Sequence, residues 1–304
     1  MESAGFDKLI SAEDLSEHIK ESEWAVIDCR FDLKNPEWGF ESYKQAHIPG
    51  AIYAHLDKDL SGPITPRTGR HPLPEIQIIS DRLSGWGIDQ KTQVVVYDTA
   101  GGAFACRLWW QLRFLGHRKA AVLDGGFQSW QQAGFHTTSG IESRPRAVFT
   151  PQPDWQMAAD ADEVERIRED PSYRLIDARA PERYRGESEP IDLVAGHIPG
   201  AVNRFHGANL GADGRFLSAV ELRRQFDSIL GHTPPDHVIV YCGSGVTSTH
   251  HILAMEIAGL PGARLIPALG VNGYVTLTVR LEHQRIDLVD RFGLRADLML
   301  FHPV

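Results

Sequence analysis

Cysteine is scarce in this chain: Cys29, Cys106 and Cys242 are the only three among 304 residues. An odd number without metal-type spacing speaks against a disulfide framework and against a zinc site, so free thiols are expected. No apolar run approaches the roughly 20 residues of a membrane span. The first residues also lack the basic, apolar and small-residue order of a signal peptide. The expectation is a cytoplasmic protein without membrane contact. Basic charge is in deficit, with a formal net charge of −9. That argues against a nucleic-acid partner, although an acidic chain can gather basic side chains around an anion site. What is present is ordinary for a folded domain, 42% hydrophobic and 23% charged residues. The length suits two domains of about 100–150 residues, each able to bury a core.

An internal repeat sets the architecture. Val26-Ile27-Asp28-Cys29-Arg30 followed by His47-Ile48-Pro49-Gly50-Ala51 recurs as Leu175-Ile176-Asp177-Ala178-Arg179 followed by His197-Ile198-Pro199-Gly200-Ala201. Farther along, Val94-Val95-Val96-Tyr97-Asp98 falls opposite Val238-Ile239-Val240-Tyr241-Cys242. A duplicated unit that alternates short apolar strands with helical stretches predicts α/β domains, each a mainly parallel sheet flanked by helices. The stretch from Gly134 to Asp160, with Pro145, Pro151 and Pro153, reads as the connection.

The most informative segment is Tyr241-Cys242-Gly243-Ser244-Gly245-Val246-Thr247-Ser248. Val238–Tyr241 reads as a buried strand, and His250 to Ala258 as a helix that Gly259 ends. A loop of this shape turns backbone N–H groups toward the cysteine sulfur, and the helix N-terminus adds positive potential. Such surroundings favour thiolate over thiol and make a nucleophile. Asp98, at the matching place in the first half, is a carboxylate that cannot do this chemistry, so one active site per chain is expected.

These motifs, together with Leu123-Asp124-Gly125-Gly126-Phe127-Gln128-Ser129-Trp130, resemble the two-domain rhodanese-type sulfurtransferases, and within them the 3-mercaptopyruvate sulfurtransferases. The resemblance covers roughly residues 6 to 265. It implies two tandem rhodanese-like domains: 6–135, catalytically inactive; a linker, 136–157; and a catalytic domain, 158–265. It also implies double displacement through a Cys242 persulfide, from a small-molecule donor to a thiol (a thioredoxin-like protein among the candidates) or cyanide, with no metal or organic cofactor. Thiosulfate-preferring relatives carry basic side chains after the cysteine, whereas Gly243-Ser244-Gly245 offers only a hydroxyl and amides; the loop therefore leans toward mercaptopyruvate. The alternatives are a thiosulfate:cyanide sulfurtransferase and a decayed chain acting only as a binding module. A cysteine-dependent phosphatase would need an arginine six residues after the cysteine, where Ser248 stands.

The same resemblance places a proton relay at Asp57, His71 and Ser244, a donor-carboxylate arginine at Arg183, and loop contacts at Gly243, Gly245, Val246 and Thr247. A second carboxylate-binding arginine of some relatives follows a Glu-Pro pair, but here Glu189-Pro190 precedes Ile191. Arg185 or Arg107 is a weak candidate to compensate. His47 and His197 recur in both halves and are read as loop-fixing residues. Most of the fourteen histidines are expected at the surface or in loops, and His250 and His251, as helix neighbours, are not expected to face one ligand.

Beyond Leu265 the repeat is lost. A back-translation of the following residues, with one base restored, reads Leu-Tyr-Pro-Gly-Ser-Trp-Ser-Glu-Trp, the turn and helix start that the first half leads one to expect. Residues 266–304 are therefore read as an out-of-frame tail.

Overall fold

Nine short strands build two parallel sheets in the computed structural model, which describes residues 5–65, 68–192 and 195–267. The first half contributes β1 (Leu9–Ile10), β2 (Trp24–Asp28), β3 (Ile52–Tyr53), β4 (Gln93–Tyr97) and β5 (Ala120–Leu123), in the order β1-β5-β4-β2-β3. The second contributes β6 (Arg174–Asp177), β7 (Val202–Asn203), β8 (Val238–Tyr241) and β9 (Arg264–Leu265), in the order β7-β6-β8-β9. Both central pairs are in matching register, Asp28 beside Tyr97 and Asp177 beside Tyr241. Strands β4 and β8 are buried at every position, as expected of continuous apolar runs covered on both faces.

The repeated motifs serve the same local purpose twice. Arg30 closes on Asp28 and donates to the Ala46 carbonyl at 2.7 Å; Arg179 closes on Asp177 and donates to the Gly196 carbonyl at 2.5 Å. Each buried ion pair thus ties the His-Ile-Pro-Gly-Ala turn to the end of its strand. His47 Nδ1 bonds the Tyr43 carbonyl and His197 Nδ1 the Tyr184 carbonyl, with each imidazole stacked on that tyrosine. These contacts fix loops, as expected of them.

Helices Ala105–Phe114 and Ser248–Ile257 follow β4 and β8 and pack against each other across the two halves. The helix after Cys242 starts two residues before the expected His250. It closes where Gly259 was expected to end it, through Gly259 N–H to Glu256 and Leu260 N–H to Met255. Trp109, Trp110, Leu112, Leu253 and Met255 belong to one buried apolar cluster that also takes in β2, β4, β6 and β8. The core is therefore continuous through both sheets. Arg113 and Glu256 pair at 3.3 Å at the same junction.

One expectation about histidine needs correction. His250 and His251 are both fully buried, and both turn Nδ1 toward one Asn209 side-chain amide, at 2.9 and 2.8 Å. Neighbouring helix positions diverge by about 100°, but Asn209 lies between the two directions and meets both rings.

Of the tail, residues 268–304 lie outside the described residues, and the frameshift reading lies there with them. Ile266 and Pro267 are described. Ile266 is buried and bonds its N–H to the Val240 carbonyl at 3.1 Å, and the Pro267 carbonyl lies against Gly245.

Candidate active site

Strand β8 delivers Cys242 at its carboxyl end, and the helix Ser248–Ile257 begins six residues later, so residues 243–247 must curl around the sulfur. Gly245 takes the left-handed backbone conformation, φ +71°, and a Cβ there would strike the Pro267 carbonyl. Only glycine suits both demands. Cys242 is 4% exposed. Burial pushes its thiol up, yet hydrogen bonds from the Ser248 and Thr247 hydroxyls and from the backbone N–H groups of Ser244 and Ser248 outweigh it. The thiol ends below its ordinary value. Cys29 and Cys106 are equally buried, but burial and nearby carboxylates drive both well above theirs.

The first half supplies an internal comparison for this loop. Asp98 accepts from four backbone N–H groups: Ala100 and Gly102 on one oxygen, Phe104 and Ala105 on the other, all at 2.8–2.9 Å. The same strand, loop and helix arrangement therefore already cradles an anion in this chain.

A cavity of about 180 Å³ opens onto Cys242, lined by Leu33, Leu56, Phe104 and Ile191 and by Arg70, His71, Arg179, Arg183, His206 and the cysteine loop. A larger groove of about 580 Å³ runs past Arg113, Glu256 and Arg264. No cysteine lines it among the described residues, and chemistry favours the smaller one.

His71 Nε2 bonds Asp57 Oδ1 at 3.0 Å. That carboxylate favours the tautomer protonated at Nε2 and leaves Nδ1, which is buried and unpaired, as an acceptor. Burial, with the Arg70 and Arg107 charges, pulls the imidazole down to about 3, so it is neutral at physiological pH. Burial raises the Asp57 carboxyl. Among the described residues no hydrogen bond joins His71 to the Ser244 hydroxyl, so two of the three relay positions are linked and the third lines the same cavity. Gly243, Val246 and Thr247 also line it, whereas Gly245 stands behind the loop.

Arg183 reaches the cavity already paired with Glu189 at 2.7 Å and Asp192 at 2.7 Å. Of the two weak candidates for a second arginine, Arg185 is exposed and closed on Glu187, away from the cavity. Arg107 is fully buried. It donates to the Gly245 carbonyl at 2.9 Å and to the His71 carbonyl at 3.0 Å, and no carboxylate among the described residues pairs with it. Burial pulls its guanidinium down to about 10, and the charge on Cys242 acts in the opposite direction.

Three participants escaped the sequence reading. Ser248 donates its hydroxyl to the Cys242 sulfur at 3.5 Å; the signal was there, since it occupies the position that phosphatases fill with arginine. Arg70 and Asp192 gave none. The cysteine loop is not free of cations either: a Cβ on Gly243 would lie 2.6 Å from Arg70 Nη2.

The rhodanese-like domain model matches residues 11–133 and 160–275. The chain therefore belongs to the rhodanese-like domain family. It is 45% identical over 260 residues, 85% of this chain and 92% of the relative, to a Pseudomonas aeruginosa protein named "Probable 3-mercaptopyruvate sulfurtransferase". It is 32% identical to the thiosulfate sulfurtransferase of Cricetulus griseus, over 83% of this chain and 87% of that one. A solved structure, the 3-mercaptopyruvate sulfurtransferase from Leishmania major, superposes with TM-score 0.77 at 30% identity, covering 88% of this chain and 73% of that one.

Proposed function

We propose that this chain is a 3-mercaptopyruvate sulfurtransferase that carries sulfur through a persulfide on Cys242. The observation that carries the reading is an enclosed thiol held below its ordinary value in a cavity that also presents His71, Arg70 and Arg183. The Cys242 thiolate attacks the donor sulfur. The new S–S bond forms as the donor C–S bond breaks, and the electron pair leaves as the enolate of pyruvate. The proton of the donor thiol moves to that enolate carbon through Ser244 and the neutral His71, giving pyruvate and the persulfide anion. Loop amides and the Ser248 and Thr247 hydroxyls hold the negative charge both before and after transfer. A thiolate acceptor, or cyanide, then takes the outer sulfur and restores the Cys242 thiolate. No redox partner or metal enters this balance.

Thiosulfate is the second donor to consider, because Arg70 brings a cation next to position 243 although the loop itself carries none. A parallel assay of both donors decides between them, with thiocyanate or pyruvate release as readout. Higher kcat/KM is expected for mercaptopyruvate, and a clear thiosulfate preference overturns the donor choice. Intact mass after donor exposure should show one added sulfur, absent from Cys242→Ser and retained in Cys29→Ser and Cys106→Ser. Transfer surviving in Cys242→Ser refutes the nucleophile.

A further inference from the structure

One carboxylate pairs with two of the arginines that line the cavity beside Cys242. Asp192 meets Arg70 Nε through Oδ1 at 2.9 Å and Arg183 Nη2 through Oδ2 at 2.7 Å, so one side chain bridges guanidinium groups from the two halves. The bridge lies on the residue next to the cysteine, since a Cβ on Gly243 would collide with Asp192. Glu189 already meets Arg183 with both oxygens, and it also accepts the backbone N–H groups of Ile191 and Asp192. Asp192 is therefore a second anion on Arg183, whereas among the described residues it is the only partner of Arg70. The bridge is reachable from solvent, with side-chain exposures of 30% for Arg70, 16% for Arg183 and 10% for Asp192.

Resting on the mercaptopyruvate reading, we infer that Asp192 holds the place of the donor's carboxylate between Arg70 and Arg183. Donor binding is then an exchange: the incoming carboxylate takes the two planar forks, and Asp192 turns to solvent. A monocarboxylate preserves the count of ion pairs in this exchange and matches the fork geometry of guanidinium. The internal carboxylate competes with the donor, which lowers apparent affinity while keeping the half-buried Arg70 paired when the cavity is empty.

Pyruvate, an unreactive carboxylate of the same shape, is the probe, with its binding measured by titration calorimetry beside the mercaptopyruvate KM and kcat. Asp192→Asn should tighten pyruvate at least about threefold and lower KM, the change falling on KM more than on kcat. Arg70→Gln should weaken pyruvate about tenfold, and Arg70→Lys should restore only part of that, because an ammonium lacks the fork. Glu187→Gln, at the exposed pair outside the cavity, should match the parent protein. Weaker or unchanged pyruvate binding in Asp192→Asn overturns the exchange and makes Asp192 a strut for the arginines. Unchanged binding in Arg70→Gln removes Arg70 from the site. Failure of the parent protein to release pyruvate from mercaptopyruvate refutes the donor reading instead, and the calorimetry with pyruvate still decides the exchange.

Discussion

Removing one hydroxyl should move the reactivity of Cys242 along the pH axis. Ser248 donates to the sulfur at 3.5 Å from the first turn of the helix, and it opposes the burial that would otherwise raise the thiol. The sign follows from which form it serves: the bond stabilises the thiolate, so Ser248→Ala favours the protonated thiol and shifts the reactive form to higher pH. A hydrogen bond to a charged group contributes about 1.5–3 kcal/mol, and a long bond to sulfur belongs at the low end. About 1.5 kcal/mol corresponds to a tenfold change in the thiol equilibrium. Alkylation of Cys242 by iodoacetamide as a function of pH is the assay, since it reports thiolate without requiring a donor. The variant's curve should lie to the alkaline side, with a rate about tenfold lower on its rising limb and recovery at high pH. Sulfur transfer should follow the same curve. If the two profiles coincide, the amides alone set the thiol and the role given to Ser248 is wrong.

Acid should destabilise the fold through its buried imidazoles. His71 and His250 are each pulled to about 3 by burial first, and His251 well below its ordinary value. The unfolded chain takes up protons below about 6.5 while the folded one does not, so stability is complete above that pH and falls as pH drops toward 3. Each such histidine costs about 2 kcal/mol at pH 5, and melting temperatures between pH 7 and 4.5 should fall steadily. A flat profile over that range refutes the neutral, buried assignment. For the tail, we propose that replacing residues 266–304 with the restored-frame ending raises melting temperature and kcat/KM together, because one buried aromatic of the kind it restores is worth about 3–5 kcal/mol. Equal stability and activity of the two forms would withdraw that proposal.

The duplicated motifs and the strand, loop and helix around Cys242 were legible because each is local: a strand end, a glycine and a helix start lie within ten residues of one another. The Asp28 and Asp177 ion pairs were visible only as repeated letters until the structure showed what they tie down. Arg70 and Asp192 were not legible, because the numbers that separate them from Cys242 say nothing of distance. They meet at Gly243 only because the helices Ala105–Phe114 and Ser248–Ile257 dock the halves together. The pairing of His250 and His251 on Asn209 was missed for a related reason: the angle between two side chains on a helix does not reveal what stands between them.

The continuous core has a consequence for how this duplication can change over time. Two copies of a domain joined by a flexible tether are free to diverge, and the copy without a nucleophile can be discarded. Here Trp109 and Leu112 from one copy share a buried cluster with Leu253 and Met255 from the other, and Arg107 of the first half donates to the cysteine loop of the second. A substitution on either helix is therefore tested against residues in both copies. The half that carries Asp98 where its twin carries Cys242 cannot be shed without opening the core they share.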